Sequence, residues 1–184
     1  ELRREYGGCA GNIAYNLCRI GGAGEPMGTV GHDFAPYASW LDGHGVSRRY
    51  VREIEDAFTA QAYITTDIKD NQITAFHPGA MNHAHVQDVP TDAGITLGMI
   101  SPDGRDGMLQ HARQFADAGI PFVFDPGQGL PMFDGDELSL FIDQASVVTV
   151  NDYEGKMLME RTGLTAWEIA DRIDALVITR GGEG

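Results

Sequence analysis

The second half of the chain alternates short apolar runs with helical stretches, and this alternation constrains the fold more than any other feature. Helices are expected near 108–118, near 137–144 and between 153 and 173. The apolar runs between them are ITLGMIS, IPFVFDPG, SVVTVN and ALVITRGG. Such runs are typical of a parallel sheet, because each crossover helix must return over the sheet. The core is therefore predicted to be α/β, with helices on both faces of the sheet.

The loops that follow these strands are candidates for a ligand site. In open parallel sheets, ligands collect beyond the carboxyl ends of the strands. The four loops here are rich in glycine or in acidic residues, as phosphate and magnesium chemistry requires: ISPDG, DPGQG, VNDYE and TRGGEG. Asp125 follows one of the strands, and we interpret it either as a group near a phosphate or as a loop cap.

The first half of the chain predicts a different set of elements. The spacing of apolar residues predicts a helix over 10–20, a strand over 26–30 and a helical stretch that ends at Gly45. Residues 59–76 contain AQAYITTD and QITAF, which are short and rich in Thr, Ile, Tyr and Phe. We therefore expect an antiparallel hairpin, which acts as a lid on the core rather than as a separate domain.

Charge and composition exclude several partners. The sequence has 13 Lys and Arg against 27 Asp and Glu, a net charge of -14, which repels nucleic acid and anionic membranes. No apolar run approaches the roughly 20 residues of a membrane-spanning helix, and the first residues lack a signal-peptide pattern. Cys9 and Cys18 lie on one predicted helix about 13 Å apart, too far for a disulfide. A soluble cytoplasmic protein is expected.

Three motifs carry candidate chemistry, and each has a structural alternative. Gly7 and Gly8 precede a helix and allow close approach to a ligand, or they form a simple turn and cap. Asn151 and Glu154 either meet a magnesium-bound phosphate or cap a helix. The run 179–184, TRGGEG, either contacts a nucleotide or ends a strand in a glycine turn.

Taken together, the three motifs resemble those of the ribokinase (PfkB) family. The run NDYE resembles the family's NxxE motif, and 179–184 resembles its TxGxxG segment. The first signature of the family is matched at every defined position: Gly7, Gly8, Ala10, Gly11, Asn12, Ile13, Ala14, Gly21 and Gly31. The resemblance implies a ribokinase-like three-layer sandwich with a mostly parallel sheet and a small β lid, whose strands lie at roughly 1–6 and 59–76.

The resemblance also implies an activity, namely ATP-dependent transfer of the γ-phosphate to a hydroxyl group with Mg²⁺. Gly8 and Asn12 would contact the hydroxyls of the acceptor. Cys9 stands where the ribokinase branch often has lysine. In this respect the sequence is more similar to nucleoside kinases, in which a small residue occupies the position. The remaining roles fall in the second half of the chain: Asn151 and Glu154 would organise the phosphates and the metal, with Glu154 as the metal residue, and Thr179, Gly181 and Gly184 would border the nucleotide.

The acceptor implied by the resemblance is adenosine, which would be converted to AMP. The runs ITAFHPGAM, ISPDGRDGM and FDPGQGLPMF are similar to the bacterial adenosine kinase-like branch. Gln61 would then bond to the purine and Phe76 would stack on it, or Phe76 would simply pack. Two alternatives stay open, a sugar kinase of the ribokinase or fructokinase type and a fragment that binds nucleoside or nucleotide without turnover. An NAD-binding fold is disfavoured because GxGxxG is missing.

The resemblance further implies that 1–184 is an incomplete kinase domain. Family members normally begin with a strand that carries an acidic substrate ligand, and they continue to a GAGD-type motif with the catalytic aspartate. Neither is recognised here, so no catalytic base is assigned and the chain alone is expected to be inactive. Exposed lid edges favour a homodimer through the lid. His77, His83 and His85 are interpreted as exposed loop histidines rather than as a metal site.

Overall fold

The structure, a computed structural model, describes residues 3–183. Contacts between residues divide the chain into two compact units, 1–87 and 88–184. In the first unit the elements are α1 (Cys9–Arg19), β1 (Met27–Gly31), α2 (Ala35–Gly43), β2 (Tyr50–Ile54), β3 (Gln61–Thr66), β4 (Gln72–His77) and a 3-10 helix, Gly79–Val86.

Two small sheets organise the first unit. β1 and β2 pair in parallel across α2, with Gly31 opposite Ile54. β3 and β4 form the expected hairpin, in which Gln61 lies opposite His77. A core cluster under α1 and α2 is formed by buried side chains: Ala14, Phe34, Leu41 and Val46.

The hairpin turn has a local cause. The Asp67 side chain accepts hydrogen bonds from the backbone N–H groups of Lys69 and Asn71, at 2.7 and 3.0 Å. Asp70 adopts φ 61°, a left-handed conformation that Asp tolerates better than most residues. The turn therefore spans 67–71.

In the second unit the elements are β5 (Gly98–Ile100), α3 (Arg105–Asp117), β6 (Phe122–Phe124), a 3-10 helix over Gly127–Met132, α4 (Gly135–Gln144), β7 (Val147–Asn151), α5 (Asp152–Thr162), α6 (Ala166–Ala170), β8 (Ala175–Thr179) and a short 3-10 turn, Gly181–Glu183. The four strands form one parallel sheet in the order β5-β6-β7-β8. The predicted α/β fold with a parallel sheet is confirmed.

Strand order explains where the helices of the second unit lie. Because spatial order equals chain order and crossovers are right-handed, all the connecting helices fall on one face of the sheet. The side chains on that face are fully or almost fully buried: Ile100, Phe122, Phe124, Val148 and Val150. On the opposite face of this unit Met99 and Val177 are 40% and 43% exposed. Within this unit, therefore, the helices cover one face of the sheet.

Two expectations about the lid and the strands need correction. Residues 3–6 are not in a strand, and Glu1 and Leu2 lie outside the described residues, so the described part of 1–6 does not supply the expected lid strand. β2, in contrast, was not expected, because its sequence YVREI alternates poorly between apolar and polar residues. The helix boundaries fall within three residues of those predicted.

Candidate functional site

The turn before α1 is built from backbone rather than from side chains. Gly8 is the N-cap of the helix, with φ 93° and ψ 148° and no side-chain cap. Such a φ favours glycine strongly. Asn12 donates its backbone N–H to Gly8 O at 2.9 Å, and its exposed side chain lies beside Gly7. A helix start of this kind can direct backbone N–H groups toward a ligand.

Tyr37 holds this turn in place, a role that the sequence did not reveal. Its hydroxyl donates to Gly7 O at 2.9 Å, and its ring stacks on Tyr6 with centroids 4.8 Å apart. Burial raises the pKa of the Tyr37 hydroxyl, which therefore stays protonated as a donor. A Cβ at Gly11 would overlap this hydroxyl, so glycine is needed there for Tyr37 to reach the turn.

Cys9 and Cys18 both lie on α1, as expected, and neither is in a disulfide. Cys9 is exposed at the first helical position, next to Gly8. The position that carries lysine in the ribokinase branch is thus a small side chain at the helix start.

The base of the hairpin is fixed to the end of β1. Asp33 accepts the backbone N–H of Thr59 at 2.7 Å on one carboxylate oxygen and the Gln61 side-chain amide at 2.9 Å on the other. Thr59 in turn accepts the backbone N–H of Gly31 on its hydroxyl, at 3.1 Å. Gln61, the predicted base-contacting residue, is therefore already held by a carboxylate.

Phe76 does not share a face of the hairpin with Gln61. In the register of the two strands, Phe76 lies opposite Ala62, whereas Gln61 lies opposite His77. Successive side chains of a strand point to opposite faces, so these two residues point away from each other. Phe76 is 54% exposed. One face of the hairpin cannot present both residues to one purine.

In the second unit, Asn151 and Glu154 form a complete capping box at the start of α5. The Asn151 side chain accepts the backbone N–H of Glu154, and the Glu154 carboxylate accepts the backbone N–H of Asn151, both at 2.8 Å. The motif thus caps the helix, as one of its two interpretations predicts. The capping box uses one carboxylate oxygen of Glu154, Oε2, and leaves Oε1 without a hydrogen bond to the described residues.

Thr179 lies beside Asn151 at the carboxyl edge of the sheet. The register of β7 and β8 places these two residues opposite each other as the last pair. Gly181 follows with φ 55° and opens a tight turn closed by the Glu183 N–H to Arg180 O at 3.1 Å. Gly184, the last predicted nucleotide residue, lies outside the described residues. The structure therefore brings the NxxE and TxGxxG motifs together at one edge.

Two aspartates follow the other strands at the same edge. Asp125 follows β6, and its backbone N–H donates to Ile100 O at 2.8 Å. Asp103 lies in the loop after β5, where burial raises the pKa of its carboxyl to about 6 and a hydrogen bond from the Gly104 N–H opposes the rise. Sequence reasoning noted the ISPDG loop but not this carboxyl, since burial of a loop residue leaves no local pattern.

Residues 3–183 contain neither a cluster of metal-ligating side chains nor a membrane-spanning helix. Within that range no three His, Cys, Asp or Glu side chains are grouped closely enough to hold a metal ion. His83 and His85 have ring centroids 6.4 Å apart. No helix in the described part of the chain has the length and apolar character needed to cross a membrane.

Comparison with known proteins identifies relatives over the whole chain. The model of the pfkB family carbohydrate kinase matches residues 1–184. A nucleoside kinase of Methanocaldococcus jannaschii is 29% identical over 188 residues, which cover 100% of this chain and 61% of that protein. The chain thus spans about three fifths of that relative's length.

Solved structures of a nucleoside kinase match this chain at higher sequence identity. The nucleoside kinase of Burkholderia thailandensis in complex with inosine is 53% identical, with a TM-score of 0.94, and the match covers 99% of this chain and 60% of that one. The complex of the same enzyme with ADP-inosine gives 52% identity and a TM-score of 0.91, covering 99% of this chain and 57% of that one.

Proposed function

Because the chain belongs to the pfkB family of carbohydrate kinases, we propose that the whole protein transfers the γ-phosphoryl group of ATP to a hydroxyl of a nucleoside. The observation that carries the proposal is the 53% identity, over 99% of this chain, to a nucleoside kinase whose structure contains inosine. Adenosine is the acceptor that we propose first, from the hairpin exit and strand-end loops that resemble the adenosine kinase-like branch.

The acceptor is assigned to the first unit. Gly8 and Asn12 would bind its sugar hydroxyls through the helix start that lacks a side-chain cap. Cys9, at the first position of α1, leaves space where a lysine would favour a free sugar. Gln61 would supply a hydrogen bond from the hairpin, on the face opposite Phe76.

The nucleotide is assigned to the second unit. Thr179 and Gly181, together with Gly184, would border ATP at the edge where Asn151 and Thr179 are paired. The Glu154 oxygen outside the capping box fits Mg²⁺, which prefers oxygen ligands and usually keeps several waters. When bound, Mg²⁺ would neutralise charge that develops on the phosphates during transfer.

Catalysis by such a site depends mainly on position and electrostatics. Phosphoryl transfer proceeds in line, so the acceptor hydroxyl must be held against the γ-phosphate, which well-placed binding groups achieve by removing orientational freedom. In this chain the helix start at Gly8 would orient the acceptor, and Asn151 with Glu154 would orient the phosphates.

The experiment uses the whole protein with ATP and Mg²⁺, and it measures acceptor-dependent ADP release with adenosine, inosine, ribose and fructose. We expect kcat/KM to be highest for a purine nucleoside. A preference for ribose or fructose would instead identify a sugar kinase. Acceptor binding by calorimetry without ADP release would identify a protein that binds without turnover.

Two further properties are proposed with this function. The hairpin forms a sheet of two strands in the structure, so each strand has an unpaired edge that a second copy can extend. A homodimer through the hairpin is therefore proposed, and light scattering at several protein concentrations tests it. A cytoplasmic location, suggested by the thiols at Cys9 and Cys18, is tested by fractionation.

A further inference from the structure

A row of side-chain hydrogen bonds runs from the end of β1 along β3. Asp33 accepts from the Thr59 N–H on Oδ1 and from the Gln61 Nε2 on Oδ2, at 2.7 and 2.9 Å. The Tyr63 hydroxyl donates to the Gln61 Oε1 at 2.6 Å. Asp33 and Gln61 are half-buried, whereas Tyr63 is 61% exposed.

The row has a direction that the charge of Asp33 fixes. An ionised carboxylate can only accept hydrogen bonds, so Gln61 must turn its NH₂ group toward Asp33. The Gln61 oxygen then points toward Tyr63, whose hydroxyl must donate to it. A hydroxyl that donates its one proton keeps lone pairs for another partner. The exposed end of the row is therefore an acceptor.

The charge itself is secured by the surroundings of Asp33. Burial alone would raise the pKa of this carboxyl, but hydrogen bonds from the backbone and side chain of Thr59, with attraction from His32, hold the pKa below its usual value. Asp33 is thus ionised at neutral pH. The orientation of the Gln61 amide follows from this ionisation rather than from packing.

The hairpin base is held rigidly enough to aim the row. The backbone N–H of His32 donates to Ala57 O at 3.1 Å, and that of Ala80 donates to Phe58 O at 2.8 Å. A Cβ at Gly31 would overlap the backbone of 57–59, so β1 and the hairpin base meet backbone to backbone. Asp33 follows the carboxyl end of β1, the end of parallel strands at which ligands collect.

We propose that Asp33 is a positioning residue that sets the hydrogen-bond polarity of the hairpin, so that Tyr63 presents a lone pair to a hydrogen-bond donor of the acceptor substrate. The inference rests on the proposed nucleoside kinase function and adds a specificity rule to it. The donor is a sugar hydroxyl or an amino or imino group of the base, and the hairpin face that meets it carries Gln61 and Tyr63.

Replacing Asp33 with Asn reverses the row without changing its shape. The new amide must keep its oxygen toward the Thr59 N–H, so its NH₂ group faces Gln61. Gln61 then turns its oxygen to that group and its own NH₂ to Tyr63, and the Tyr63 proton points outward. A substrate donor now meets a donor, so Asp33→Asn is expected to raise the nucleoside KM about tenfold with little change in kcat.

Exchanging the two groups restores the direction. In Asp33→Asn/Gln61→Glu the NH₂ group at position 33 donates to a carboxylate at position 61, which accepts from Tyr63. The charge of the pair is unchanged, and the Tyr63 lone pair again faces outward. KM should fall at least about threefold below that of Asp33→Asn, a rescue that loss of structure at Asp33 would not show.

Tyr63→Phe is the second variant, at an exposed position where folding is not at risk. It removes the acceptor at the end of the row, so it should raise KM by a similar factor, and adding Asp33→Asn to it should change KM little further. Three analogues identify the donor group of the substrate: inosine, which lacks the amino group, and 2′- and 3′-deoxyadenosine, which each lack one hydroxyl. For the analogue that lacks the donor, Asp33→Asn should leave KM unchanged.

Thermal unfolding by circular dichroism confirms that each variant is folded. The inference is overturned if the exchange variant binds no better than Asp33→Asn, or if Asp33→Asn raises KM as much in the Tyr63→Phe background as in wild type. A wild-type protein that prefers a sugar to a nucleoside overturns the proposed function. The inference about Asp33 is then tested by measuring the KM of the same variants for that sugar. If wild type phosphorylates neither acceptor class, both are overturned.

Discussion

The two motifs that begin a helix, one in each unit of the chain, do so in opposite ways. In the first unit, α1 starts at Gly8 without a side-chain cap, and the Asn12 side chain is exposed. In the second unit, the Asn151 and Glu154 side chains are already committed to each other's backbone. A family motif thus marks an open helix start in one unit and a satisfied one in the other.

The difference bears on what each motif can do for a ligand. A glycine N-cap costs a helix only roughly a few tenths of a kcal/mol relative to a side-chain cap, so the backbone N–H groups after Gly8 stay open to a ligand at little cost in stability. A capping box needs no ligand, and any further role must come from the atoms that it does not use. Substitutions at the two helix starts can distinguish an open start from a capped one.

Gly8→Ala should have the largest effect, in the first unit. At φ 93° an alanine is strained by about 1–3 kcal/mol, so the turn either shifts or is destabilised, and kcat/KM for the nucleoside should fall about 10- to 100-fold. Steady-state kinetics on the whole protein measures it. Gly7→Ala is the matched control, because its Cβ would lie 3.7 Å from the Asn12 side chain, an ordinary contact. Equal losses in both variants would contradict the open-turn interpretation.

Asp103 provides the second test. Burial raises the pKa of its carboxyl, whereas hydrogen bonds hold the pKa of Asp33 below its usual value. With a pKa raised to about 6, folded Asp103 keeps its proton between roughly pH 4 and 6 while the unfolded chain loses it. Protonated Asp103 therefore contributes fully to the free energy of unfolding below pH 4. This contribution is lost as the pH rises to 6, and it stays lost above pH 6.

The variant Asp103→Asn should remove that pH dependence. Above pH 6 it should be more stable than wild type by about 1–2 kcal/mol, a figure already discounted for partial exposure to solvent. Urea unfolding at pH 4, 5, 6 and 7.5 gives the difference between the two proteins, in which the other carboxyls cancel. A constant difference across this range would mean that Asp103 titrates normally.

Glu154→Gln is the third test, and it changes the capping box of α5 directly. Glutamine keeps the capping bond to the Asn151 N–H but removes the charge on the oxygen outside the box. The Mg²⁺ concentration for half-maximal rate should rise about fivefold, which corresponds to roughly 1 kcal/mol.

The chain offers a matched control in the capping box at the start of α6. Thr165 and Glu168 have the same reciprocal bonds as Asn151 and Glu154. Glu168→Gln should lower the melting temperature as much as Glu154→Gln does and leave the Mg²⁺ dependence unchanged. An equal shift of the Mg²⁺ dependence in both variants, or in neither, would return Glu154 to a purely structural role.

The parts of the site that the sequence predicts are the parts with local causes. The first helical hydrogen bond of α1 joins Asn12 to Gly8, and the capping box of α5 spans 151–154, so short motifs predict where these two helices begin. The parallel sheet is predictable for a similar reason, since each strand is a continuous apolar run followed by a helix.

The parts that the sequence misses depend on residues that are distant along the chain. Asp33 lies 26 residues before Thr59 and 28 before Gln61, and only the fold brings them together. Tyr37 reaches Gly7 across 30 residues. The raised pKa of Asp103 comes from burial, which no short pattern reports. The faces of the hairpin required the register of β3 and β4, which a turn of unknown length does not specify.

Phe76→Ala should have the smallest effect, and it tests the hairpin face. The family resemblance offers an adenine stacked on Phe76, with simple packing as the alternative. The strand register puts Phe76 with Ala62 and Ile64, on the face opposite Gln61 and Tyr63. If the Asp33 row aims the other face at the acceptor, Phe76→Ala should change the adenosine KM less than about threefold. Stacking of a base on the ring would instead contribute about 1–3 kcal/mol, a 5- to 150-fold effect.

Phe76→Leu separates the ring from its apolar area, because leucine keeps much of the buried surface but cannot stack. If both variants raise the adenosine KM fivefold or more, the base meets the Phe76 face, and the specificity rule based on Tyr63 fails with it. If Tyr63→Phe alone raises KM, the face is assigned to Gln61 and Tyr63. The exposure of Phe76, at 54%, then needs no ligand, since single apolar side chains are common on protein surfaces.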